Sequence, residues 1–150
     1  MQYWLMKSEP DVFGIDDLQQ VKTEPWDGVR NYQARNMMRD DMKIGDQIFF
    51  YHSNCKTPGI VGIMEVAAEA HPDETQFDQD NKYYDAKSSR DEPRWFCIDV
   101  KYCRHLKRTI SLTELKTFKT LLDLPLVRKG NRLSIMPVKK MEWDFILKQE

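Results

Sequence analysis

The sequence predicts an α+β chain, a small and strongly bent mixed sheet, or partial barrel, flanked by helices. Three observations carry this. Short apolar strands and amphipathic helical stretches are interspersed along the 150 residues, without the regular strand–helix alternation of a doubly wound sheet. Apolar residues make up 41% and charged residues 31% of the chain, a globular balance that excludes wholesale disorder. No internal repeat, low-complexity tract or Gly/Ser/Pro linker divides it, so residues 1–150 are expected to form one domain.

Tyr3 to Lys7 reads as a strand ended by the turn Ser8-Glu9-Pro10. Asp11 to Val21 reads as a short helix, with Phe13, Leu18 and Val21 as its apolar contacts. Pro25-Trp26-Asp27-Gly28 is a turn or bulge. Asn31 caps a helix to about Met42, in which Ala34, Met37 and Met38 share a face and Gly45 follows the end. Gln47 to Ser53 and Ile60 to Val66 are strands joined by a loop, and Gly59 and Gly62 permit close backbone approach there. Residues 71–93 lack any period and read as a flap. Trp95 to Tyr102 alternates, placing Phe96, Ile98, Val100 and Tyr102 on one face. Ser111-Leu112-Thr113-Glu114 is a capping box, with Ile110 and Leu115 as its hydrophobic staple. Arg132 to Met136 is a last strand stopped at Pro137. Lys139 to Lys148 is a last helix with Trp143, Ile146 and Leu147 inward.

Several function classes drop out. No apolar run approaches the roughly 18 residues of a membrane helix. The first residues lack the basic and apolar regions of a signal peptide, so a soluble cytoplasmic chain is expected, or a nuclear one if the source is eukaryotic. Cys55, Cys97 and Cys103 contain no CxxC, and His52, His71 and His105 lack ligand spacing, so neither metal nor cofactor is expected. Nucleotide-binding glycine motifs are missing. Cys55 lies near His52 in sequence, which supplies neither a base in place nor a lowered pKa. Ser8 and Ser53 have no GxSxG context. Adjacent acids such as Asp16-Asp17 diverge rather than converge on a cleft.

Net charge is -1, yet the charge is polarised. Residues 71–93 hold seven acids against three bases, and residues 101–132 hold nine bases against two acids. This pattern permits a local anion-binding face and equally describes two solvated surfaces. Trp26 through Asn36 is the most unusual stretch. It combines a tryptophan suited to stacking a base, amides suited to base edges, and arginines suited to phosphate. Composition alone leaves Trp26 equally fit for a core position.

The sequence resembles the EVE-domain family. The resemblance is carried by Trp4-Leu5-Met6-Lys7-Ser8-Glu9-Pro10, Trp26 through Asn36, Phe49 through Asn54, Pro58 through Gly62, Tyr83-Tyr84-Asp85, Trp95 with Asp99-Val100, and Leu133 through Pro137. It spans nearly the whole chain. It implies a PUA-like fold, a small curved β-barrel with packed helices. It also implies a non-enzymatic module that binds nucleic acid and reads a modified base, with modified cytosine in DNA the leading candidate and RNA possible. By likeness to the related YTH domains, Ser8 and the Lys7 backbone would meet the base edge. Trp26 would be the stacking wall, Asn31 a polar reader, and Tyr32, Tyr51, His52 and Ser53 would line the pocket. Arg30 and Arg35 would hold phosphate. Trp4, Tyr51 and Trp95 are candidates for a second aromatic wall. Two other readings are a hydrolase acting on a modified base, for which Glu9, Asp27 and His52 are the titratable candidates, and a protein-interaction domain.

Overall fold

In Ile48-Phe49-Phe50-Tyr51 successive apolar side chains point to opposite faces, so this strand needs cover on both sides. The computed structural model, which describes residues 1–150, supplies it. Six strands form one sheet: β1 (Tyr3–Ser8), β2 (Thr23–Pro25), β3 (Gln47–His52), β4 (Gly59–Pro72), β5 (Phe96–Ser111) and β6 (Ile135–Val138). Their spatial order is β2-β5-β4-β3-β1-β6. β1 and β3 are parallel and the other pairs antiparallel. Ile48 and Phe50 enter one core with Trp4, Met6, Met64, Ile98 and Val100. Phe49 and Tyr51 enter a second core on the other face with Leu5, Ile63, Met136 and Trp143. The architecture is the expected mixed PUA-like one, left open between the edge strands β2 and β6.

The two longest strands exceed their expected lengths. β4 runs on to Pro72 and β5 to Ser111, and their pairing shifts register four times. The first shift inserts three extra residues on β5 and each of the other three inserts one, on β5 or β4, and such odd insertions switch the inward face and interrupt the two-residue alternation. The bulges bend the pair and bring backbones close at Gly59, where a Cβ would lie 2.5 Å from the Ile110 carbonyl oxygen.

The first helix is broken at Gly14 into α1 (Pro10–Phe13) and α2 (Ile15–Val21). Asp17 accepts from the Gly14 N–H at 2.7 Å, and His52 Nε2 accepts from the Ile15 N–H at 3.1 Å. The second helix, α3 (Tyr32–Asn36), is capped by Asn31, whose Oδ1 accepts from the Ala34 N–H at 3.0 Å. It passes into a single π-helical turn over Met37–Asp41. The capping box at Ser111 starts only one turn, α4 (Leu112–Leu115). Ser111 Oγ accepts from the Glu114 N–H, but the Glu114 carboxylate turns to Arg108 instead of back to the cap. The last helix, α5 (Lys140–Leu147), seats Trp143 against Phe49 with ring centroids 3.8 Å apart. β6 runs through Pro137, which an edge strand tolerates because no partner needs the missing N–H.

The expected flap is a braced strap. After β4 a 3₁₀ turn over Glu74–Phe77 leads into successive turns back to β5. Gln76 is fully buried and central to it. Its amide donates to the carbonyls of Asp73 and Trp95, and its oxygen accepts from Ser88 Oγ and from the N–H groups of Arg94 and Trp95.

Gly59→Ala must push a methyl into backbone of the paired strand. A loss of about 1–3 kcal/mol of stability is expected, read as a lower urea midpoint with an unchanged slope.

Candidate functional site

The site grows from the turn after β2. The Trp26 N–H still donates to Ile98 O at 2.8 Å, which holds this segment on the sheet edge. Gly28 then turns the chain with φ of 82°. A Cβ there would meet the Tyr83 ring at 2.6 Å, so only glycine allows the strap to lie against the turn. Asp73 clamps the two together. Its Oδ2 accepts from the Gly28 N–H at 2.8 Å and from Arg30 at 3.0 Å, and its Oδ1 accepts from the Thr75 N–H and hydroxyl. Burial pushes the Asp73 carboxyl up, but the bonds from Thr75, Gly28 and Arg30 outweigh it and hold its pKa below the ordinary carboxylate value.

Between this clamp and the C-terminal end of β1 lies an open cavity of about 610 Å³. Phe13, Trp26 and Tyr83 are its aromatic lining. Lys7, Arg30, Lys82 and Arg132 bring positive charge, and Glu9, Glu24 and Asp27 bring negative charge. Ser8, Ser53 and Ser134 add hydroxyls.

Of the residues expected at a site, Lys7, Ser8, Trp26, Arg30 and Ser53 line this cavity. Trp26 is 8% exposed and packs edge-on to Phe13 and Phe50, while its indole N–H has no partner within the chain. Ser8 Oγ donates to Phe13 O at 2.6 Å, and the Lys7 N–H donates to Ser134 O at 2.9 Å. The Lys7 ammonium lies over the Tyr51 ring, and burial lowers its pKa.

The other expected residues lie elsewhere. Asn31 spends its side chain on the α3 cap. Tyr32 is half exposed and stacks on Trp95 at 4.8 Å. Tyr51 belongs to the second core, where burial pushes its phenol up to about 12. His52 holds the Ile15 N–H, and burial lowers its pKa. Arg35 lies over Tyr32 and donates to Arg94 O and to Asn36. Of the three aromatic wall candidates, Tyr51 is in that second core, Trp4 donates to Asp46 inside the first core, and Trp95 donates to Asp85 in the strap. None of them lines the cavity.

Arg30 has its five N–H groups fully committed. They meet Tyr83 O twice, Val29 O, Asp73 Oδ2 and Thr75 Oγ1. The cavity cations without an ion pair are Lys7, Lys82 and Arg132. The sequence did not mark Lys82 or Arg132 as site residues: Lys82 sits in the aperiodic segment 71–93, and Arg132 reads as the start of the last strand, which begins only at Ile135. Tyr83 did carry a signal, since Tyr83-Tyr84-Asp85 belongs to the family resemblance. Two carboxyls here have raised pKa values. Glu24 is raised by burial and by Asp27 and Asp99, and Asp27 by burial and by Asp73, with Arg30 opposing.

Cys97 lies near His71, but burial and the carboxylates of Asp73, Asp27 and Asp99 push its thiol far up. No group of three or more His, Cys, Asp or Glu side chains is arranged to hold a metal ion. No helix is long and apolar enough to cross a membrane.

The family model of the EVE domain matches residues 2–149. The chain belongs to the EVE-domain family. Mouse thymocyte nuclear protein 1 is 48% identical over 167 residues, covering 99% of this EVE domain and 73% of the mouse protein. A Pseudomonas syringae protein of solved structure superposes with a TM-score of 0.95 at 49% identity, over 98% of each chain. Human THYN1, crystallised in complex with 5-methylcytosine-containing DNA, superposes with a TM-score of 0.90 at 46% identity, over 99% of this chain and 97% of that one.

Asp73→Ala leaves Arg30 without its counter-charge in the wall of the EVE domain. A loss of about 3 kcal/mol or more is expected, measured by urea unfolding. His52 gives a pH signature. Its lowered pKa means the fold favours neutral imidazole, so its contribution is complete above about pH 6.5, the ordinary histidine value, and is lost as pH falls through the folded value. Melting temperature should therefore fall on acidification from that point, and fall less steeply in His52→Gln.

Proposed function

We propose that this chain is a non-enzymatic reader of a modified cytosine in DNA, and that the cavity beside Trp26 receives the base. The observation that carries the reading is this aromatic, mixed-charge cavity in a fold that human THYN1 shares, a relative seen with 5-methylcytosine-containing DNA. One base is flipped out of its stack at a cost of a few kcal/mol. Contact with Phe13, Trp26 and Tyr83 offsets that cost, since base–aromatic stacking contributes about 1–3 kcal/mol per base. Ser8 and Ser53 supply polar contacts at the strand ends. Lys82, from the strap, and Arg132, from the segment before β6, meet the phosphates flanking the flipped nucleotide. Arg30 keeps the wall in place, because taking a phosphate would cost it an existing bond.

The titratable groups support recognition without turnover. Glu9 accepts from Asn54 at 2.7 Å, and His52 lies outside the cavity lining with Nε2 engaged. Asp27 alone of the three candidates is unengaged.

Fluorescence anisotropy with DNA carrying one central cytosine, plain or 5-methylated, tests the reading. Preference for the methylated oligonucleotide is expected, of the order of ten- to a hundredfold, since one methyl in a fitted pocket contributes about 1–3 kcal/mol. Trp26→Ala, with folding checked by circular dichroism, should lose most of that preference. Equal binding of both oligonucleotides, unchanged in Trp26→Ala, would overturn the reading. Lys82→Ala and Arg132→Ala should each reduce the slope of log affinity against log salt by about 0.9 while leaving the preference intact.

A further inference from the structure

We propose that Asp27 accepts a hydrogen bond from the exocyclic amino group of the flipped cytosine and thereby excludes thymine from the same cavity. The assignment rests on the base-reading function above and names the residue that selects the base.

A DNA site is a poor place for a carboxylate, because every nearby phosphate repels it. Glu9 is compensated by the Asn54 amide. Asp27 is not: it lines the cavity, directly follows Trp26, and accepts no hydrogen bond from any other residue. Its neighbours make this costlier, since Asp73 and Glu24 both add negative charge beside it and Arg30 offsets them only in part. Arg30 cannot bond it without giving up one of its five existing partners. A carboxylate kept there needs a donor from the guest. Among bases bearing a 5-methyl group, 5-methylcytosine presents an amino donor at the position where thymine presents a carbonyl acceptor. An acceptor-only side chain therefore attracts the first and repels the second.

Glu24 is the competing group. It also lines the cavity and lacks a hydrogen-bond partner. It is placed one strand position before Pro25, paired with Val100 on the sheet edge, whereas Asp27 adjoins the tryptophan and the turn that shape the cavity.

The experiment compares DNA holding a central 5-methylcytosine opposite guanine with DNA holding thymine opposite guanine. The two share the methyl group and the opposing base. The mispaired thymine is the easier to flip, so preference for 5-methylcytosine has to come from the cavity. The wild-type chain should favour 5-methylcytosine by about tenfold or more. Asp27→Asn, whose amide can also donate, should bind thymine better and bring the ratio close to one. Asp27→Ala should weaken 5-methylcytosine binding and relieve the repulsion of thymine, lowering the ratio without supplying the donor that Asp27→Asn offers. Glu24→Gln should keep the wild-type ratio. Loss of discrimination in Glu24→Gln, or its survival in folded Asp27→Asn, overturns the assignment while the reading of methylated over plain cytosine stands. A wild-type chain with no preference for methylated cytosine overturns both.

Discussion

The cavity wall depends on one partly buried ion pair, Arg30 with the buried Asp73. Such a pair holds only when its remaining lone pairs and protons are satisfied, because desolvation otherwise exceeds the Coulomb gain. Here that condition is met on both sides. Asp73 accepts four bonds and Arg30 donates five. The partners come from the turn at Gly28 and from the strap that follows β4, two segments with no sheet pairing between them. Aromatic contacts extend the clamp. Arg30 lies over both Trp95 and Tyr83, Tyr32 stacks on Trp95, and Arg35 lies over Tyr32. Cations and rings thus tie α3, the turn and the strap into one body.

This construction separates support from contact. The residues with the richest hydrogen bonding, Arg30, Asp73 and Gln76, build the wall. Groups at the cavity that have no hydrogen bond or ion pair within the chain, among them Lys82 over the Tyr83 ring, Arg132, Asp27 and the Trp26 indole N–H, are able to meet a guest. A site held this way keeps its shape before the guest arrives, which lowers the ordering cost of binding.

The fold was largely legible in the sequence. Strand β3 and the cap at Asn31 are short-range features, set by a few adjacent residues. The family resemblance through WDGVRNYQARN added the fold type. What the sequence hid is what long-range contact decides. The bulges interrupt the alternation of β4 and of β5 beyond Tyr102, β2 is too short to show a pattern, and the break at Gly14 comes partly from His52, far away in the chain. The strap has no period because polar bonds hold it, so it read as a loose flap. The candidate site was legible only in part for the same reason. Arg30, Asn31, Tyr32 and Arg35 are residue types that bind nucleic acid, but the same donors and rings serve equally well inside a protein. Only their partners show which use the chain makes of them.

The two sheet edges have a further consequence. β2 is three residues long and ends in Pro25, and β6 is four residues long and contains Pro137. A free edge exposes unpaired backbone that invites a strand from another molecule, and short edges bearing proline refuse it. Neither terminal strand therefore offers a template for growth. Copies brought close together at high concentration would meet at these two strands without extending one sheet into the next.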